Sequence, residues 1–202
     1  MSEYLSDLKV WMKLVFATNN LNKLSEIRSL VPREIEILSL RDINCNEELP
    51  ETNPTINENA LQKARYVFDN YGFNCFADDT GLEINALGGE PGVYSARYAG
   101  EECVAEDNIN KVLLKLEGQE NRKANFRTVI ALILDQKQML FEGECKGVIT
   151  QSKSGVEGFG YDPIFRPVGY ERTFAEMHKN EKGEISHRGK AVKKLVDFLH
   201  SN

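Results

Sequence analysis

The stretch that most constrains this chain is a short apolar run ending in two adjacent acids, Cys75-Phe76-Ala77-Asp78-Asp79. Consecutive apolar residues read as a strand buried on both faces, and the strand is expected to end at the acids. Adjacent side chains on a strand point to opposite faces, so only one of the two carboxylates can face a given cleft. Two acids there need counter-charge. A divalent cation is the simplest partner, because magnesium takes one or two carboxylates together with substrate phosphates. The segment Asp78-Asp79-Thr80-Gly81 is equally good turn chemistry, which leaves a solvated turn open at this point.

Similar apolar runs recur. Leu14, Val15, Phe16 and Ala17 predict a first buried strand, and residues 35 to 40 a second. Between them, Leu24, Ile27, Leu30 and Val31 recur at helical spacing until Pro32. The polar loop Thr18-Asn19-Asn20-Leu21-Asn22-Lys23 joins strand to helix, where backbone N–H groups and a lysine can hold an anion. The pattern of a P-loop is missing, and asparagines at a helix start also serve as caps.

An acidic, turn-rich passage over residues 44 to 54 carries Glu47, Glu48 and Glu51. Thr55 and Glu58 then fit a capping box opening a helix striped by Ala60, Leu61, Ala64, Val67, Phe68 and Tyr71 and stopped by Gly72. Lys63 lies beside that stripe, as a surface lysine would. Ile109, Val112, Leu113 and Leu116 mark another helix. Residues 126 to 134, 139 to 141 and 145 to 150 read as strands of an antiparallel pair, with a turn at 135 to 137.

Residues 154 to 162 form a glycine-rich loop holding Phe159 and Tyr161, either to stack on a base or to anchor the loop on the core. Ser186 is the expected N-cap of a last helix striped by Val192, Leu195, Val196 and Leu199. His187 and Arg188 then fall in its first turn, where positive charge opposes the helix dipole and hints at an anionic or carbonyl-bearing ligand.

A chain of 202 residues accommodates one sizeable α/β domain, here 13 to 202, preceded by an extension over 1 to 12. A net charge of -6 lacks the basic stripe of a nucleic-acid binder. Cys45, Cys75, Cys103 and Cys145 have neither zinc-ligand nor redox-motif spacing and read as free, buried thiols of a reducing compartment. The acidic N-terminus is no signal peptide and no apolar run spans a membrane, so a cytoplasmic location is expected.

Taken together, these segments resemble the non-canonical purine nucleoside triphosphate pyrophosphatases, the inosine triphosphate pyrophosphatase or Ham1-like family. The carrying motifs are ATNNLNK with Thr18, Asn20 and Lys23; ENALQKA from Glu58; ADDTGL through PGVYSARYAG; FGYDPIF from Phe159; and Lys182 with Ser186-His187-Arg188. The motifs occur in order, and the match covers residues 14 to 199. Asn19 stands where the family usually has glycine, and Thr80 where bacterial members usually have serine.

The resemblance implies an α/β fold with an elongated mixed β-sheet flanked by helices, and two lobes around a central cleft. It implies a magnesium (Mg2+) dependent homodimer that hydrolyses inosine, deoxyinosine and xanthosine triphosphates to the monophosphate and pyrophosphate. Asp79 would be catalytic and, with Glu51, a metal ligand. Residues Thr18, Asn19, Asn20, Leu21, Asn22, Lys23 and Lys63 would hold phosphates, and Thr80 would also bind substrate. Phe159, Gly160, Tyr161, Asp162, Lys182, His187 and Arg188 would hold and read the base. Alternatives are a Maf-like nucleotide pyrophosphatase and a non-catalytic nucleotide sensor.

Overall fold

The computed structural model describes residues 12 to 201. Residues 1 to 11 of the expected extension lie outside the described residues, and Met12 opens the first strand. The elements are β1 (Met12–Phe16), α1 (Leu21–Leu30), β2 (Ile35–Leu38), α2 (Ile56–Tyr71), β3 (Cys75–Ile84), β4 (Pro91–Gly92), α3 (Ala105–Lys115), β5 (Lys123–Leu134), β6 (Lys137–Ile149), β7 (Phe165–Pro167), α4 (Lys179–Ile185) and α5 (His187–His200). One mixed sheet runs β2-β1-β3-β5-β6-β7, with β4 on β3. Strands β1, β2 and β3 pair in parallel, and the other pairings are antiparallel.

Side-chain alternation sorts the core. Val15, Ala17, Cys75, Ala77, Val129 and Ala131 face α2 through Ala60, Ala64 and Val67. Their neighbours Leu14, Phe16, Phe76, Ile130 and Leu132 face α1 and α5 through Leu24, Ile27, Val192 and Leu195. Farther along that second face, Leu82, Ile84 and Phe126 pack with Ile109 and Val112 of α3 and with Phe165 and Phe174.

Three expectations change. The strand does not end at the acids: β3 runs to Ile84, so Asp78 and Asp79 sit mid-strand opposite Ile130 and Val129. The segments at 139 to 141 and 145 to 150 are one strand, β6, interrupted in pattern by Gly143. A Cβ there would lie 2.0 Å from the His187 carbonyl oxygen, so the missing side chain lets α5 begin against the strand. The loop before α5 contains the short helix α4, which carries Lys182.

Capping also departs from its pattern. Thr55 accepts from the Glu58 N–H, but its hydroxyl donates to the Glu58 carboxylate, so the reciprocal half of the box is missing. All four cysteines are free; Cys103 is exposed and the other three are buried.

Candidate active site

Pairing of β1 with β3 stops at Phe16 opposite Phe76, while β3 continues beside β5. The chain after β1 diverges there and leaves a cavity of about 530 Å³ at the carboxyl end of the parallel strands, where open α/β sheets place their ligands. The loop and first turn of α1 contribute Thr18, Asn19, Asn20, Asn22 and Lys23. Glu51 and Lys63 come from the acidic passage and α2, and Asp79 and Thr80 from β3. Phe159, Gly160, Tyr161, Asp162, Lys182, His187 and Arg188 complete the set. Leu21 is the exception: its side chain is 65% exposed and lies outside the lining.

The adjacent acids have different surroundings. Asp78 is fully buried on the α1/α5 face, 2.9 Å from Lys23 Nζ and 3.1 Å from Arg188 Nε, and it accepts from the Thr80 hydroxyl at 3.2 Å. Burial pushes its pKa up, but Lys23 and Arg188 overcome this and hold the carboxyl well below the usual range. Asp79 turns to the α2 face, where Lys63 Nζ is 3.7 Å away and the Thr80 N–H reaches Oδ1 at 3.0 Å. Its Oδ2 is buried with no partner. Burial raises the Asp79 pKa despite Lys63 and Lys23.

Lys63, read from sequence as a surface residue, is 4% exposed. It bonds Glu51 directly and leans toward Asp79, so the carboxylates hold its pKa up against burial. Burial lowers the Lys23 pKa, because Asp78 offsets it only in part.

At the start of α1, Asn20 Oδ1 accepts from the N–H groups of Asn22 and Lys23. Two amides expected to face an anion are therefore capped internally. The Thr18 hydroxyl accepts from the Asn20 N–H, and Asn19 Nδ2 donates to the Glu47 carbonyl at 3.2 Å. Asn19 does not adopt a positive φ, so its place in a glycine position is unstrained.

At the other end, Asp162 Oδ2 accepts from the Phe159 N–H at 2.8 Å and from Lys182 Nζ at 2.7 Å. Gly158, at φ +76°, makes this turn possible, since a Cβ would lie 2.1 Å from that oxygen. Lys182 Nζ and the Arg188 guanidinium lie 5.1 and 5.5 Å from the Phe159 ring centroid. His187 stacks on Phe126 at 4.4 Å with Nδ1 buried and unpartnered. Burial, with Arg188 and Lys182 nearby, pushes its pKa well below the histidine value, so His187 is neutral at pH 7. The expected pair of cations opposing the α5 dipole is therefore one cation, Arg188, already paired inside the protein.

Two residues not singled out from sequence belong to this region. Glu26 bonds both Lys182, at 2.7 Å, and Arg188. Its partners lie 156 and 162 residues away, so nothing local in the sequence marked it. Asn108 lines the cavity from α3 and lies four residues before Val112, a polar residue in an apolar stripe.

Known proteins resemble this chain in sequence and fold. A dITP/XTP pyrophosphatase of Flavobacterium johnsoniae is 59% identical over 188 residues, covering 93% of this chain and 98% of the relative. The Ham1 protein of Staphylococcus aureus superposes with a TM-score of 0.85 at 38% identity, covering 94% of this chain and 98% of that one. The HAM1 protein of Coxiella burnetii gives 0.86, also at 38%, covering 95% and 100%. The Ham1 family pattern matches residues 14–198, and the chain belongs to the Ham1 family.

Proposed function

We propose that this protein hydrolyses non-canonical purine nucleoside triphosphates, dITP, XTP and ITP, to the monophosphate and pyrophosphate. It is a nucleoside triphosphate pyrophosphatase, as the names of its relatives indicate. The observation that carries the reading is a single cavity lined by lysines, an arginine and asparagines, with the Phe159 ring beside them and the unpartnered Asp79 Oδ2 in its wall. Neither a Maf-like activity nor a sensor role is favoured.

The donor set suits Mg2+. Asp79 and Glu51 are hard oxygen donors on one cavity, and Asp79 Oδ2 is free to bind. Among the described residues no group of three or more His, Cys, Asp or Glu side chains could hold a metal. Two carboxylates with phosphate oxygens are the set magnesium accepts. When bound, the cation neutralises triphosphate charge.

The protein's own residues do the rest. Thr18, the side chains of Asn19, Asn20 and Asn22, and Lys23 and Lys63 hold the phosphates, with Thr80 beside them. Asp79 orients the water and takes its proton as the water oxygen bonds to the α-phosphorus, while the bridge to the β-phosphate breaks and pyrophosphate leaves. Positioning and charge neutralisation dominate such chemistry. Phe159, with Gly160 and Tyr161, covers the purine, while Asp162, Lys182, His187 and Arg188 read its edge. Donors aimed at a 6-keto oxygen would be left unpaired by adenine, and such mismatches discriminate by about 10⁴ to 10⁵.

Among the described residues no helix is long and apolar enough to cross a membrane. We place the enzyme in the cytoplasm, working as a homodimer on the free nucleotide pool, without nucleic acid or membrane partners. Pyrophosphate release from dITP, XTP, ITP, dGTP and ATP, with and without Mg2+, tests the reading. Strong Mg2+-dependent preference for dITP and XTP is expected. Equal turnover of ATP, or release of orthophosphate in place of pyrophosphate, would sink it.

A further inference from the structure

We infer that Asn108 is a positioning residue for the base end of the cavity, acting through the wall at Ser95 and Ala96. This rests on the proposed function for the identity of the ligand. Asn108 is 4% exposed, and both ends of its amide are spent on one backbone segment. Nδ2 donates to the Ala96 carbonyl at 2.7 Å, and Oδ1 accepts from the Ala99 N–H at 2.6 Å. The side chain is thus a bracket that fixes residues 96 to 99 against α3.

The bracket reaches the aromatic loop in one more step. The Tyr161 hydroxyl, buried, donates to the Ser95 carbonyl at 2.8 Å. Tyr161 therefore uses its hydroxyl as a strut between wall and loop, which commits its only proton and leaves no donor for a ligand. Ser95 is pinned to the sheet as well: its Oγ accepts from the Leu82 N–H and donates to the Gly92 carbonyl. Asp162 then closes the turn by accepting from the Phe159 N–H. Helix α3, the wall, Tyr161 and Phe159 form one connected path, held at Ser95 by the sheet and at residues 96 to 99 by Asn108.

A buried donor or acceptor left unpaired is costly, so removing the bracket moves the wall rather than leaving it in place. Asn108→Ala frees both backbone groups. Asn108→Asp keeps the acceptor and sets a carboxylate oxygen against the Ala96 carbonyl. Tyr161→Phe removes only the strut.

The experiment is steady-state kinetics of the full chain with Mg2+ and dITP. Each variant is expected to raise KM about tenfold while kcat stays within about twofold, the pattern of lost binding common to ground and transition states. Inhibition by pyrophosphate, which needs no base contact, should be unchanged. Asn108→Ala combined with Tyr161→Phe should be no worse than the poorer single variant, since both cut one path. Amide hydrogen exchange of residues 157 to 162 should quicken in Asn108→Ala with no nucleotide present. Unchanged exchange there, or an unchanged KM alongside a lower urea midpoint, overturns the inference. Failure of the wild-type chain to release pyrophosphate from dITP overturns the proposed function alone, and the exchange measurement still decides the role of Asn108.

Discussion

Asp78 and Asp79 are neighbours on one strand, yet β3 gives them opposite circumstances. Asp78 faces α1 and α5, where Lys23, Arg188 and Thr80 occupy both its oxygens. Asp79 faces α2, where Lys63 is shared with Glu51 and Oδ2 has no partner. The period of two in a strand makes this division possible without any insertion between the residues. A carboxylate with every oxygen occupied ties helices to a sheet. One with a free oxygen has capacity for a cation or a water.

The largest expected effect falls on the paired side. Asp78→Asn leaves Lys23 and Arg188 facing a neutral amide in a buried site, which should cost about 3 to 5 kcal/mol of unfolding free energy in urea titration. Stability equal to the wild type would break the comparison, because it would mean the α1/α5 face does not depend on that charge. Asp79→Asn should reverse the pattern. Its turnover of dITP should fall about 10² to 10³-fold, with unfolding free energy within about 1 kcal/mol of the wild type. Retained Mg2+-dependent turnover would refute the central role given to Asp79.

Much of this contrast was legible before the fold. Strand alternation separates the two acids, whereas the motif at Ser186-His187-Arg188 reads as a ligand contact and its Arg188 in fact pairs with Asp78. The extension of β3 past the acids was not legible, because what permits it is remote in sequence. Strand β5 pairs with every residue from Cys75 to Ile84, and Lys23 and Arg188 supply charge from 55 and 110 residues away. Spacing alone reads Lys63 as a surface residue for a related reason, while the resemblance puts it in the site. It flanks the apolar stripe of α2, and only the positions of Glu51 and Asp79 make its burial tolerable. The neutrality of His187 likewise depends on Phe126 and on being enclosed near Arg188 and Lys182.

That neutrality gives a smaller prediction on the α1/α5 face. The folded pKa of His187 lies below the ordinary value of about 6.5. As pH falls below about 6.5, the unfolded chain binds a proton at this histidine and the folded chain does not, so folded stability declines. One such group contributes about 1.4 kcal/mol per pH unit while the difference is complete. His187→Gln should therefore lose part of the fall in urea midpoint between pH 7 and 5. Identical slopes would show that His187 takes up a proton in place, and the pairing of Arg188 with Asp78 would no longer explain the charge balance of that face.

The smallest expected effect probes the open side. Asn19 donates to the Glu47 carbonyl, linking the loop before α1 to the acidic passage that carries Glu51. Glu47 is itself held by the Tyr71 hydroxyl at the end of α2, so Asn19 is a second tie on a passage already anchored. Both residues are exposed, and an exposed neutral hydrogen bond contributes about 0.5 kcal/mol. Glycine also gives the unfolded chain more freedom, at about 0.4 to 1 kcal/mol. Asn19→Gly should therefore lower stability by no more than about 1 kcal/mol and, since its side chain is one of several that hold the phosphates, lower turnover of dITP by less than about tenfold. A larger loss of turnover, restored by raising Mg2+, would mean that Glu51 depends on Asn19 for its place, and that the side of β3 with the free oxygen is held as closely as the side without one.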